Sequence, residues 1–160
     1  MSLFYLFSFI LIVIGIVLLA LVFFNGSFKL KKHTRDKYAI LIPARDESKV
    51  IENLLKSIEV QNKNMSNVYV IVEEETDPTV DITSQYGANI FVRPKPIRPR
   101  KGYALDECIK DILKKKHYDL YFIFDADNLL NRNYISKMND AFDSGEKIIT
   151  SYRNTKNFDE

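Results

Sequence analysis

The chain has 160 residues, 23 Lys and Arg against 21 Asp and Glu, and one cysteine. That length holds one membrane segment and one modest domain; the near balance of charge gives no case for nucleic acid as partner. The lone Cys108 excludes an internal disulfide and fits a reducing compartment.

In chain order, Leu3 to Phe24 is apolar apart from Ser8 and Gly15 and carries no charge. At about 1.5 Å per residue it reaches the ~30 Å of a hydrocarbon core. A cleaved signal peptide would need a basic start and small residues at its exit. Here the start is Met1-Ser2-Leu3 and the exit is Val22-Phe23-Phe24, so the expectation is a retained single-pass transmembrane helix over 3–24. Residues 25–37 read as a juxtamembrane linker whose Lys29–Arg35 stretch is basic, while nothing before the apolar run is. The positive-inside rule then puts the following domain in the cytoplasm. The cluster also suits contact with anionic lipid of the bilayer, and a plain solvated linker is compatible with both.

From residue 38 to 160, short apolar runs alternate with amphipathic stretches. Strands are expected at Tyr38–Ile42, Val68–Val72, Ala88–Val92, Leu120–Asp127 and Lys147–Tyr152. Helices are expected where Val50, Ile51, Leu54, Leu55 and Ile58 recur, from Thr79 to Tyr86, along Ala104–Leu113 after Gly102, and over Ile135–Phe142. Cys108 falls on an apolar stripe as a small core residue. His33 and His117 have no spacing for a metal or a triad. Such alternation predicts an α/β fold with a mainly parallel sheet and right-handed crossovers. Ligands of such sheets lie beyond the carboxyl ends of the strands, where the connection order reverses. The polar clusters Ala44–Glu47, Glu73–Asp77, Arg93–Gly102 and Asp125–Asp127 all occupy that edge.

Asp125 and Asp127 end a buried strand and, on extended chain, face one way. Two such carboxylates suit Mg²⁺ or Mn²⁺ beside nucleotide phosphates; solvated strand-end acids are the plainer reading. Arg93–Gly102 holds five basic residues and three prolines ahead of a helix, a stiff loop that could grip a diphosphate or simply be exposed. Glu73 could accept hydrogen bonds from a base or a ribose. Glu74 and Glu75 read as solvent-facing, and Asp77 before Pro78 as a helix cap.

Together, Ile42-Pro-Ala-Arg-Asp-Glu47, Val72-Glu-Glu-Glu-Thr-Asp77, Lys101-Gly-Tyr-Ala-Leu105 and Asp125-Ala-Asp127 resemble the family 2 glycosyltransferases of GT-A fold. The likeness is in particular to the membrane-bound processive synthases of the cellulose and hyaluronan synthase kind. The resemblance implies a Rossmann-like GT-A domain, here its amino-terminal donor-binding half, and a UDP-sugar donor. It implies that Pro43, Ala44 and Glu47 line the uracil and ribose pocket and that Glu73 contacts the base. Lys101 would belong to the nucleotide pocket, Asp125 would sit near ribose and metal, and Asp127 would ligate Mg²⁺ or Mn²⁺. The family usually has Asp, not Glu, at position 73. Its general base, in a Glu-Asp or Thr-Glu-Asp motif, and the Gln-x-x-Arg-Trp motif of its processive members lie beyond this stretch. No catalytic base is therefore assigned here.

The expectation is the donor half of an inverting, metal-assisted transferase acting on a polysaccharide or lipid acceptor. The sequence would then be part of a longer protein, or a partner chain would supply the remainder. A membrane-anchored nucleotide-sugar-binding module without catalysis is the alternative. A phosphatase of the haloacid dehalogenase type also carries Asp-x-Asp after a strand, with Asp125 as nucleophile. That motif opens its domain, whereas here residues 128–160 alone follow, and Leu129 stands where Thr or Val is usual.

Overall fold

The computed structural model describes residues 2–25, 37–62, 64–94 and 100–152. They fall into two compact units, Met1–His33 and Thr34–Glu160. The first contains helix α1, Ser2–Asn25. Its described side chains, from Phe4 through Ile10 and Ile14 to Leu19, are exposed. Among the described residues, no helix is long and apolar enough to cross a membrane. The basic cluster Lys29–Arg35 lies outside the described residues.

The second unit alternates strand and helix. In order it comprises β1 (Tyr38–Pro43), α2 (Ile51–Glu59), a 3-10 turn at Met65–Asn67, β2 (Val68–Val72), α3 (Thr79–Gln85), β3 (Asn89–Val92), α4 (Lys101–Lys115), β4 (Leu120–Ile123) and α5 (Tyr134–Asp143). The strands form one parallel sheet in the order β3-β2-β1-β4. The chain therefore steps outward from β1 through β2 to β3, then crosses back to add β4 on the other side of β1. That reversal beside β1 is the switch point at which open α/β sheets hold their ligands.

Alternation along β1 divides its side chains between two layers. Ile40 and Ile42 pack with Leu54, Leu55 and Ile58 of α2, Val68, Val70 and Val72 of β2, and Ile135 of α5. Ala39 and Leu41 face the other way, against Ala104, Cys108 and Ile112 of α4. Buried on both faces, β1 and β2 are unbroken apolar runs, as parallel strands are. Each Leu or Ile so buried contributes roughly 1.5–3 kcal/mol. An aromatic chain closes the β4 side: Tyr38 meets Phe122 edge-on at 5.2 Å, Phe122 stacks on Phe124, and Phe124 meets Tyr134 at 5.6 Å.

Two expectations need correction. Residues 147–152 form no strand, and Ile148 and Tyr152 are exposed. A strand needs a ladder partner, and among the described residues β4 pairs with β1 alone; the segment is tied instead by a Tyr134–Ser151 hydroxyl contact of 3.0 Å. The other concerns Asp125 and Asp127, which do not lie on extended chain. The Phe124 amide makes the last bond to β1, to Leu41 O. Asn128 then folds the chain into a turn, its side chain accepting from Asp125 N and its amide donating to Asp125 O. A local side-chain bond has displaced the ladder, the usual behaviour of Asn at a strand end.

Candidate functional site

The carboxyl edge is shaped first by the loop after β1. Ala44 N–H still pairs with Ile71 O at 2.9 Å, continuing the β1–β2 ladder. Asp46 then turns to a positive φ of 55°, a left-handed conformation that Asp tolerates better than most residues. Two neighbours pin the turn. Asp77 Oδ2 accepts from Asp46 N at 3.0 Å, and the buried Thr79 hydroxyl accepts from Glu47 N at 3.1 Å. Glu47 O in turn accepts from the amides of Val50 and Ile51 at the start of α2. Asp77 also accepts from Thr79 N at 2.8 Å through its other oxygen. Pro78 already has helical dihedrals, so Asp77 stands physically as the N-cap of α3 with proline at the first helical position. Burial alone would raise the Asp77 carboxyl; the hydrogen bonds from Thr79 and Asp46 outweigh it and hold it below its ordinary value.

The second element is a charge cluster across β2 and β3. Arg93 follows β3, its amide bound to Val72 O at 3.0 Å, and its side chain is 2% exposed. The guanidinium grips Glu107 of α4 through Nε–Oε2 and Nη2–Oε1, both 2.9 Å, and reaches Glu73 Oε1 through Nη1 at 3.4 Å. Hydrogen bonding to Glu107 raises Arg93 above its ordinary range, and the same bonds lower Glu107. On the outer side Arg45 Nε lies 3.8 Å from Glu73 Oε2.

The third element is the amino end of α4. Lys101 is its first residue, Arg100 precedes it, and its first turn carries no acid. Such an end favours an anion. Lys101 Nζ pairs with Asp125 Oδ1. Asp127, two residues on, is exposed and accepts from Asn128 Nδ2 at 3.2 Å.

These elements enclose an open cleft of about 210 Å³. Of the residues singled out from the sequence, Pro43, Ala44, Glu47, Glu73 and Lys101 line it. Asp125 meets it through Lys101, and Asp127 is not among the lining residues. Arg45, Ile71, Arg93, Arg100 and Ala104 complete the wall; Arg93 and Arg100 were read as part of the basic loop, and none of the five was assigned a site role by itself. The parallel register contains the signal for two of them: Pro43 is level with Ile71 and Val72 with Val92. Continued two residues past β1 and one past β2, that register brings Arg45 and Arg93 to either side of Glu73. Arg93, read from sequence as part of an exposed grip, instead points inward, because two carboxylates compensate its burial.

Among the described residues no three of His, Cys, Asp and Glu converge to hold a metal. Asp125 and Asp127 are a partial oxygen set. Mg²⁺ takes such sets readily, since it is held by one or two carboxylates with substrate phosphates and waters supplying the rest. The residues fit that mode of binding and not a closed protein cage.

In a parallel α/β domain the switch edge is where ligands bind, and a cationic helix end there favours an anion. The sequence model for glycosyl transferase family 2 matches residues 39–160, and the chain belongs to that family. Among solved structures it is similar to S. aureus TarS, with a TM-score of 0.52 and 20% identity over 68% of this chain and 20% of that one. It is also similar to S. aureus TarS 1-349 in complex with UDP-GlcNAc, with a TM-score of 0.51 and 23% identity over 68% of this chain and 31% of that one. At these identities the likeness shows the fold, and this chain spans less than a third of either structure. No curated protein matches.

Proposed function

We propose that the cleft holds the nucleoside diphosphate of a UDP-sugar and that this chain is the donor-binding part of a glycosyltransferase. The carrying observation is the convergence, in a family 2 chain, of Glu73, Arg100 and Lys101 on a single cleft at the amino end of α4. The likeness to TarS, whose complex contains UDP-GlcNAc, supports a uridine nucleotide.

Glu73, whose carboxylate Arg93 reaches at 3.4 Å, is an acceptor for the N–H of the base. Pro43 and Ala44 supply the apolar wall beside it, and Glu47 faces the ribose hydroxyls. Arg100, Lys101 and the first amides of α4 take the diphosphate, whose charge displaces Lys101 from Asp125 toward the phosphate. That exchange turns Asp125 from the lysine toward a cation shared with Asp127. The two acids would hold Mg²⁺ or Mn²⁺, which neutralises charge gathering on the leaving diphosphate. The reaction is an inverting displacement at the anomeric carbon, with acceptor and general base provided outside the described residues.

The motif likeness to membrane-bound synthases supports a polysaccharide or lipid acceptor. The apolar, exposed side chains of α1 suit a helix set in lipid. We assign 3–24 as a single transmembrane span with the catalytic domain on the cytoplasmic side, consistent with the basic residues after it.

Calorimetry of the full chain with UDP, with and without Mg²⁺ or Mn²⁺, tests this reading. Metal should strengthen UDP binding, and Asp127→Ala should remove the metal-dependent part alone. Equal affinity of wild type and variant in the presence of metal would refute the role of Asp127, and no UDP binding at all would refute the donor site.

A further inference from the structure

The donor-site reading gives Glu73 a task without explaining how so long a side chain stays in place. Glutamate has more torsions to fix than the aspartate usual at this position, and ordering them opposes binding. Exposed Arg45, whose side chain is 69% exposed and 3.8 Å away, cannot fix them: exposed ion pairs of that length hold little. Arg93 is different. Its backbone is anchored to Val72, the residue before Glu73. Its guanidinium is buried, and the far edge of that planar fork is locked by two 2.9 Å bonds to Glu107. A bidentate fork has one orientation, so the remaining Nη1 is aimed at Glu73 Oε1. Glu107 does not line the cleft, so its effect on the cleft runs through Arg93.

We propose that Arg93 and Glu107 are positioning residues that set the nucleobase preference of the site. They hold Glu73 as an acceptor at the position where uracil presents a ring N–H. The inference rests on the donor-site reading and goes beyond it, since that reading gives neither residue a part in choosing the base. Its chemistry is one of matching. A carboxylate only accepts. Uracil offers it a donor between two carbonyls, whereas cytosine offers a bare ring nitrogen whose lone pair faces the carboxylate. A fixed carboxylate rejects cytosine, and a loose one swings aside and tolerates it. Two carboxylates share one guanidinium, so Glu73 is oriented without being fully neutralised and keeps its accepting strength. Because Glu107 belongs to α4, the same contacts join the base-reading end of the cleft to the helix that carries Lys101.

The test is the ratio of UDP to CDP affinity, measured by calorimetry on the full chain in detergent for wild type, Glu107→Gln and Arg93→Lys. Glu107→Gln keeps the shape and removes one charge; Arg93→Lys keeps the charge and removes the fork. Each variant is first checked by thermal melting. Wild type should prefer UDP. In both variants the ratio should fall about tenfold, the effect of one weakened charge-assisted bond, with CDP affinity unchanged or improved. A parallel loss of UDP and CDP affinity would mean the pair merely supports the fold, and an unchanged ratio would mean Glu73 needs no support; either overturns the proposal. A wild-type chain that binds UDP and CDP equally, or neither, instead overturns the donor-site reading on which it rests.

Discussion

Asp77 shows how a residue outside the cleft governs its shape. Its carboxylate accepts from Thr79 N at 2.8 Å and from Asp46 N at 3.0 Å. Replacing it with alanine removes the cap of α3, about 1 kcal/mol. It also leaves the amide of a left-handed residue without its acceptor, roughly a further 0.5–1 kcal/mol because water can reach that more exposed bond. For a domain of this size a loss of about 1.5–2 kcal/mol lowers the melting temperature by roughly 5–10 °C. Asp77→Asn, which keeps one neutral acceptor oxygen, should show about half of that. The carboxyl is held below its ordinary value in the folded chain, so its contribution is present above the unfolded pKa of about 3.9 and lost as pH falls through the folded one. The gap between wild type and Asp77→Ala should therefore be full at pH 7 and narrow as the pH falls below about 4. Calorimetric melts from pH 3 to 8 measure it. Coincident melts at pH 7, or a gap that widens in acid, would refute the account of the loop as pinned by this carboxylate.

Two further outcomes follow from burial and from the asymmetry of charge. Burial pushes the Cys108 thiol up to about 12 and leaves it no exposed surface, so a thiol reagent at pH 8 should label the native chain far more slowly than the chain in denaturant; equal rates would show that α4 does not cover it. If the chain is a single-pass membrane protein with a cytoplasmic domain, protease added to sealed right-side-out vesicles should spare residues 38–152 and cut them only after lysis; cleavage at Lys101 before lysis would reverse the topology.

The order of elements was legible because parallel strands buried on both faces are apolar throughout while the helices between them are striped, and β1, β2, α2 and α4 differ in just that way. The five lining residues singled out in advance came from the motif resemblance, and they meet at one cleft because the loops that carry them leave the carboxyl edge of the sheet. What the sequence withheld was where long side chains go. Arg93 lies in a run of charge and proline that reads as solvated, and only its level with Glu73 in the sheet, together with a glutamate one turn beyond Ala104 on α4, turns it inward. Asp125 and Asp127 were placed by strand alternation, but Asn128 competes for the backbone there and wins. The error has a consequence for chemistry. Acids side by side on a strand repel each other, whereas on a turn one of them is held by Lys101. On the proposed donor-site reading, a diphosphate that draws the lysine away and a cation that takes its place should therefore bind together, in place of a standing metal centre that waits for its nucleotide.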